Sequence, residues 1–518
     1  METGKSQELG PSLLRQLKES DADGRNDCDL IETHISWVVL AGNRGWKIKK
    51  PVDLGFADFS TLELRKHFCE EELRLNSRLA PEIYRRVVPI TGTVDQPEVD
   101  GSGEIIDYAV EMQRFPVGRI LSEMIGTAQV ENRHFETLAE DVAEFHQSVL
   151  IARTDSKFGS PEKVWTPVAE NFEQLKLRIS EEPSLKVLDR VEQEAEREWQ
   201  SLEKLVSERK QEGFIRECHG DMHLGNMVLL NDRVRIFDGI DFNEELRWID
   251  VICEAAFVVM DLDHLGRSQA AMLFLNKYCE ETGDYHGLRL LSFYASYLAM
   301  VRAKVAAIRR TQQVEDEQEP DCKEILPLME LAFSYFQSRP RKLILTFGLS
   351  GSGKSFFSQH LVGPLRAVRL RSDIERNRLS KSKKLGENVY SSESKEAVYL
   401  HLLECAKSIL LGGMSVIVDA TFLDPERREP FFELASEIGC ELVVLQFEAP
   451  DSILKERVAK RQHDGGDASE ADLTVLEKQQ REFQPLSETE SQFAVRVDTT
   501  LDRKDCVEKI VSAIHGGG

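Results

Sequence analysis

Apolar and polar positions divide this 518-residue chain into two textures. From about residue 30 to 115, short apolar runs alternate with turns. "HISWVVLAGNRGWKIKKPV" predicts two strands around a short turn, and "GEIIDYAVEMQRF" predicts another strand or two. Between them "STLELRKHFCEEELRLNSRLAPEIY" carries leucines at helical spacing and stops before Pro81. Helical periodicity dominates from about 117 to 340, apart from 214–242. It is strongest in "RLLSFYASYLAMVRAKVAAIRR". The acidic break "VEDEQEPD" and a helix from Cys322 to Gln337 follow, and "SRPRK" at 338–342 reads as a boundary. Beyond it "KLILTFG", "GMSVIVDAT" and "CELVVLQFE" are apolar runs of the buried parallel-strand kind, with a weaker strand in "FAVRVDTT". Amphipathic helices separate them, which predicts an α/β domain with a parallel sheet. Three segments result: a polar extension over 1–28, with one amphipathic stretch around Leu13–Leu17, then 29–338 and 339–518.

Composition narrows the class. Hydrophobic residues make up 41% and charged residues 30%, as in a globular protein of two or three domains. No run approaches the ~18 uncharged apolar residues of a membrane span. The first residues lack an apolar signal core, so a cytoplasmic location and no membrane partner are expected. Nine scattered cysteines without a CxxC pair fit reduced thiols and disfavour a disulfide framework or a zinc site. The net charge of −24 disfavours bulk attraction to nucleic acid or anionic lipid. One local exception is "RAVRLRSDIERNRLSKSKK", Arg366–Lys384, which reads as a solvated face or as the acceptor side of a site.

The chemistry concentrates in two places. "GLSGSGKS" satisfies G-x-x-x-x-G-K-[ST] between a predicted strand and a predicted helix. In such a loop Gly348, Ser350, Gly351, Ser352 and Gly353 offer backbone N–H groups to phosphate oxygens. Lys354 reaches the β/γ-phosphates and Ser355 ligates Mg²⁺. Asp419, ending "SVIVD", suits a second carboxylate near Mg²⁺, or is an ordinary strand-end acid. In "RSDIER", Asp373 could accept a substrate hydroxyl proton while Arg376, one turn on, holds an acidic group. A helix cap with a surface arginine is the alternative. Arg457 and Arg461, at i and i+4, could bring positive charge onto a transferring phosphoryl group, or form a solvated face.

The second place is "HGDMHLGN" followed by "RIFDGIDF". Phosphoryl transfer needs a carboxylate beside the acceptor hydroxyl and oxygen ligands for Mg²⁺. Asp221 suits the first role, and Asn226 and Asp238 the second. His219 reads as a brace for the loop. Asp241 and Asp250 read as loop stabilisers, Asp241 with an outside chance of joining the metal site.

These motifs carry a resemblance. Residues 29–335 resemble the aminoglycoside phosphotransferase and choline kinase clan, which implies an α+β protein-kinase-like fold. By that resemblance Lys49 in "WKIKK" contacts the α/β-phosphates of ATP and pairs with a glutamate of "CEEELRL"; Glu71 is the expected partner. Residues 342–515 resemble small P-loop kinases such as gluconate kinase, polynucleotide kinase and zeta toxin. The order of domains is similar to a bacterial two-domain family of predicted bifunctional kinases. The resemblance implies ATP and Mg²⁺ as cofactors and a small-molecule hydroxyl as acceptor in each domain. Two alternatives stay open: one active P-loop kinase regulated by the kinase-like domain, and a polynucleotide-kinase- or toxin-like enzyme.

Overall fold

The computed structural model describes residues 8–20, 27–55, 57–313, 324–382, 392–464 and 472–516. The breaks "VEDEQEPD" and 465–471, and Lys383–Lys384 of the basic run, lie outside the described residues. By internal contacts the chain forms two compact units. One holds 1–167 with 203–261, the other 168–202 with 262–518.

The first unit opens with a six-stranded antiparallel sheet of order β1-β2-β3-β6-β4-β5. Its strands are β1 (Cys28–Glu32), β2 (Ser36–Ala41), β3 (Arg44–Lys49), β4 (Tyr84–Gly92), β5 (Pro97–Val99) and β6 (Ile105–Gln113). The two predicted strands of "HISWVVLAGNRGWKIKKPV" are β2 and β3, in the register Trp37↔Ile48 and Val39↔Trp46. Side chains alternate along a strand, so Trp37, Val39, Trp46 and Ile48 share one core. Leu9 and Leu13 of the helix Leu9–Ser20 join that core, so this part of the polar extension is a lid on the sheet. Lys47 and Lys49 therefore point the other way, toward the helix Leu62–Asn76. The rest of this unit holds two short antiparallel pairs. One is β7 (Ile215–Glu217) with β10 (Trp248–Asp250); the other is β8 (Met227–Leu230) with β9 (Arg233–Ile236).

The second unit contains a five-stranded sheet, β11 (Lys342–Phe347), β12 (Ala367–Arg371), β13 (Ser415–Asp419), β14 (Glu441–Glu448) and β15 (Ala494–Asp498). All its pairs are parallel, in the order β12-β13-β11-β14-β15. β12 is an edge strand. Instead of another strand, the helix Ser268–Thr282 meets it. Asn276 donates from Nδ2 to Ala367 O (3.1 Å) and accepts from Arg369 N (2.6 Å), which satisfies an edge otherwise left open. Residues 262–337 thus pack in the same unit as the parallel sheet. Among the described residues one helix, Leu288–Arg310, is long and apolar enough to cross a membrane by length and composition, and 61% of its apolar window is buried inside the structure.

Candidate active sites

In the first unit, β3 and the helix Leu62–Asn76 bring opposite charges together. Glu72 is buried and binds both lysines: Lys49 Nζ at 2.9 Å through Oε2 and Lys47 Nζ at 2.8 Å through Oε1. This corrects the expectation for Glu71, which pairs with Arg74 and Arg247 instead. Helical phase is the reason. Arg65, Cys69, Glu72 and Asn76 form the buried stripe, and Glu71 lies off it. Asp241 also binds Lys49, and Asp238 lies 2.5 Å from Lys47. Asp241 is thus part of the charged cluster rather than a loop stabiliser. Burial disfavours the ammonium of Lys47, yet Asp238 and Glu72 hold its pKa well above the usual value. Burial raises the Asp241 carboxyl and is only partly opposed by Lys49. Burial pushes the neighbouring Cys69 thiol up to about 12, which leaves it protonated.

The loop His219–Asn226 is held from beneath. Gly220 has φ +87°, and a Cβ there would stand 2.7 Å from Leu246 O, so glycine is required. Buried Glu254 accepts N–H bonds from His219 (2.8 Å) and Gly220 (2.7 Å) through Oε1, and its Oε2 lies 2.9 Å from His146 Nε2. His146, Cys218 and Glu254 could converge on a metal ion by spacing alone, but Glu254 is committed to these loop and histidine bonds. His219 braces the loop: its Nε2 lies 3.0 Å from Phe237 O, and its Nδ1 accepts from Asp221 N at 3.3 Å. Burial lowers its pKa. Asn226 donates from Nδ2 to Asp221 Oδ2 at 2.9 Å, which fixes the carboxylate and leaves the Asn226 amide oxygen for a cation. After β9, Asp238 adopts φ +63° and its N–H is held by Tyr84 Oη at 3.0 Å. Its side chain is 48% exposed, against 5% for Asp241. Asp221 and Asn226 therefore meet directly, and Asp238 and Asp241 meet the two lysines.

In the second unit the P-loop runs from β11 into the helix Lys354–Leu361. Gly348, Gly351 and Gly353 all take positive φ. At Gly351 a Cβ would also stand 2.7 Å from Leu454 O. Lys354 Nζ donates to Gly348 O (2.9 Å) and Leu349 O (2.8 Å), folded back over the loop. Burial lowers its pKa to about 8, against the opposing pull of Asp419 and Asp373. Ser355 Oγ lies 3.2 Å from Asp419 Oδ1, and Ser358 Oγ holds Oδ2 at 2.9 Å. The pair Ser355–Asp419 is an all-oxygen set that suits Mg²⁺. Asp373 stands in the first turn of the helix Ser372–Lys381, and its Oδ1 accepts from Arg376 Nη1 at 2.7 Å. Arg457 donates to Thr499 Oγ1 (2.9 Å), Thr499 O (2.8 Å) and Gly351 O (3.4 Å). That ties the P-loop to the end of β15. Arg461, on the same helix as Arg457 (Asp451–Asp464), is among the charges felt by Lys354.

One contact had no sequence signal. Gln479 Oε1 accepts the N–H of Ser350 at 2.8 Å, so the helix Leu473–Glu482 grips the P-loop directly. Ser352 is buried within the loop. A cavity of about 500 Å³ borders the loop at Gly348 and is floored by Phe347, Phe447 and Phe483.

Two family models match this chain: the phosphotransferase enzyme family (APH) over 64–291 and the AAA domain (AAA_33) over 343–486. Among similar proteins are Rv2004c of Mycobacterium tuberculosis H37Rv and Mb2027c of Mycobacterium bovis. Each is 30% identical over 465 residues, covering 88% of this chain and 90% of the relative. The chain belongs to their two-domain family, an APH phosphotransferase domain followed by a P-loop kinase-like domain. Similar solved structures include a gluconokinase from Sinorhizobium meliloti 1021 (19% identity, TM-score 0.27, 34% of this chain, 94% of that one). Another is a sugar kinase from Janibacter sp. HTCC2649 (16% identity, TM-score 0.28, 34% of this chain, 95% of that one). Both domains of this family member are kinase-like.

Proposed function

We propose that the protein is a bifunctional ATP-dependent phosphotransferase, each domain moving the γ-phosphoryl group of ATP to a hydroxyl of a small molecule. The observation that carries this reading is duplication: each unit holds its own lysine for phosphate, its own oxygen ligands and its own candidate base. In the kinase-like domain Lys49, braced by Glu72, receives phosphate oxygens. Asp221, fixed by Asn226, accepts the proton of the attacking hydroxyl. In the P-loop domain the backbone of Gly348–Gly353 and Lys354 receive the phosphates, and Asp373 stands as the base beside Arg376. Mg²⁺ would be held by Asn226 with Asp238 and Asp241 in the first site and by Ser355 with Asp419 in the second. It would neutralise charge on the phosphoryl oxygens.

A second reading has one observation in its favour. Both candidate metal carboxylates of the kinase-like domain are tied to lysines, which already stand where a cation would bind. That would suit a domain that senses nucleotide or metabolite and regulates the P-loop kinase. A nucleic-acid end kinase draws less support. Arg366, Arg369 and Arg378 of the basic run are spent on Asp263, Glu280 and Glu375.

The test is a labelled-phosphate screen of a polyol and amino-alcohol panel with the full chain and two variants. Asp221→Asn should abolish transfer to one set of acceptors and Lys354→Ala to another, by at least about 100-fold each. If Asp221→Asn leaves every transfer intact, the regulatory reading replaces the bifunctional one.

A further inference from the structure

Near Asp373, cations from several helices surround a lysine that has no ion-pair partner, in a chain whose net charge is −24. The basic run from Arg366 is not the source. Its Arg366, Arg369 and Arg378 are held in ion pairs with Asp263, Glu280 and Glu375. The unpartnered charge lies elsewhere. Lys395 lies in the first turn of the helix Ser392–Leu411 and is half-buried. Among the described residues it makes no ion pair or hydrogen bond. Tyr399 follows it at i+4, on the same helix face.

The ring of Tyr399 carries the guanidinium of Arg427 at 5.1 Å, and its hydroxyl touches Thr421 Oγ1 (3.5 Å) and Phe422 N (3.4 Å). Those residues lie two and three positions after Asp419, just past the carboxyl end of β13. Arg427 pairs with Asp424 at 3.5 Å. Arg376, on the helix Ser372–Lys381 and paired with Asp373 at 2.7 Å, and Lys478, 3.8 Å from Glu482, complete the group. Burial, with Lys478, Arg427 and Arg376, lowers the Lys395 pKa, and Glu482 opposes this only in part. The cations thus come from four helices and gather beside the carboxyl ends of β12 and β13, where open parallel sheets bind ligands. A half-buried ammonium without an ion-pair partner, with more cations than acids acting on it, costs free energy until an anion arrives.

We infer that Lys395 and Arg427, with Arg376, form an anion-binding subsite for the acceptor of the P-loop domain, so that this acceptor is a hydroxyl compound bearing a carboxylate or phosphate. Lys395 supplies the unpaired charge. Arg427, planar and seated on Tyr399, supplies a two-toothed donor for a carboxylate or phosphate. Anchoring the anion there presents a hydroxyl of the same molecule to Asp373. The inference rests on the P-loop domain being a phosphotransferase.

The experiment uses the full chain saturated with Mg²⁺ and a non-hydrolysable ATP analogue, which fills the phosphate loop. Glycerol, glycerate and glycerol 3-phosphate are then titrated calorimetrically into wild type, Lys395→Ala and Arg427→Ala. Binding of glycerate or glycerol 3-phosphate, absent for glycerol and weakened at least tenfold in both variants with analogue affinity kept, supports the subsite. The two anions distinguish carboxylate from phosphate recognition. Anionic probes that bind no better than glycerol, or equally well to Lys395→Ala, overturn it while leaving the kinase reading intact. Loss of the reading beneath shows differently: the analogue's affinity would be the same in wild type and Lys354→Ala.

Discussion

Three successive glutamates, Glu70, Glu71 and Glu72, are chemically alike, and only Glu72 reaches the lysines of β3. Its pair with Lys49 is almost wholly buried, and removing Glu72 takes a charged hydrogen-bond partner from both lysines, which keep Asp238 and Asp241. Glu72→Ala is expected to destabilise the first unit by about 2 kcal/mol, and Glu71→Ala by less than about 1 kcal/mol. Urea unfolding of the two variants checks this. The choice between them was legible as phase, because Arg65, Cys69, Glu72 and Asn76 recur at helical spacing. The role of Asp241 was not. Nothing local distinguishes it from Asp250, which instead binds Arg209.

Glu254 gives a pH prediction. Burial raises its pKa, but His146 and the loop N–H groups outweigh this and hold it below the ordinary 4.5. Its contribution is therefore present above pH 4.5 and lost as pH falls through the lower folded value. Glu254→Gln should lose stability at pH 7 and show a flatter loss below pH 4.5 than wild type, read as unfolding midpoints across pH. An unchanged acid limb would mean that Glu254 does not clamp the loop as an anion.

At the scale of elements, β11, β13 and β14 were readable because each is a short apolar run between helical periods. The P-loop was readable because its function is local in sequence: strand, glycine turn, lysine, helix. What covers the edge of β12 was not readable. Asn276 lies 91 residues from Ala367, and an asparagine inside a helix gives no sign that its amide serves as a strand's partner. Replacing it leaves a carbonyl and an N–H of β12 without their partners. Asn276→Ala should cost about 2 kcal/mol, measured by denaturant unfolding of the second unit. The same helix supplies Glu280, which holds Arg369, and Arg369 in turn donates to Ser355 O at 3.1 Å. The P-loop serine is thus supported by residues well before the boundary near 338.

At the scale of the molecule, sequence order and compact units differ, because 262–337 packs in the same unit as the parallel sheet. Composition cannot reveal this, since an apolar helix face carries no sign of which unit it packs in. The two chemical clusters survive the difference, each complete within its own unit. The central claim is that both hold nucleotide. Calorimetric titration of the full chain with Mg²⁺ and a non-hydrolysable ATP analogue, repeated on Lys354→Ala, tests it most directly. The account predicts two equivalents for wild type and one for the variant. One equivalent for wild type and none for Lys354→Ala would contradict it, leaving the P-loop as the nucleotide site.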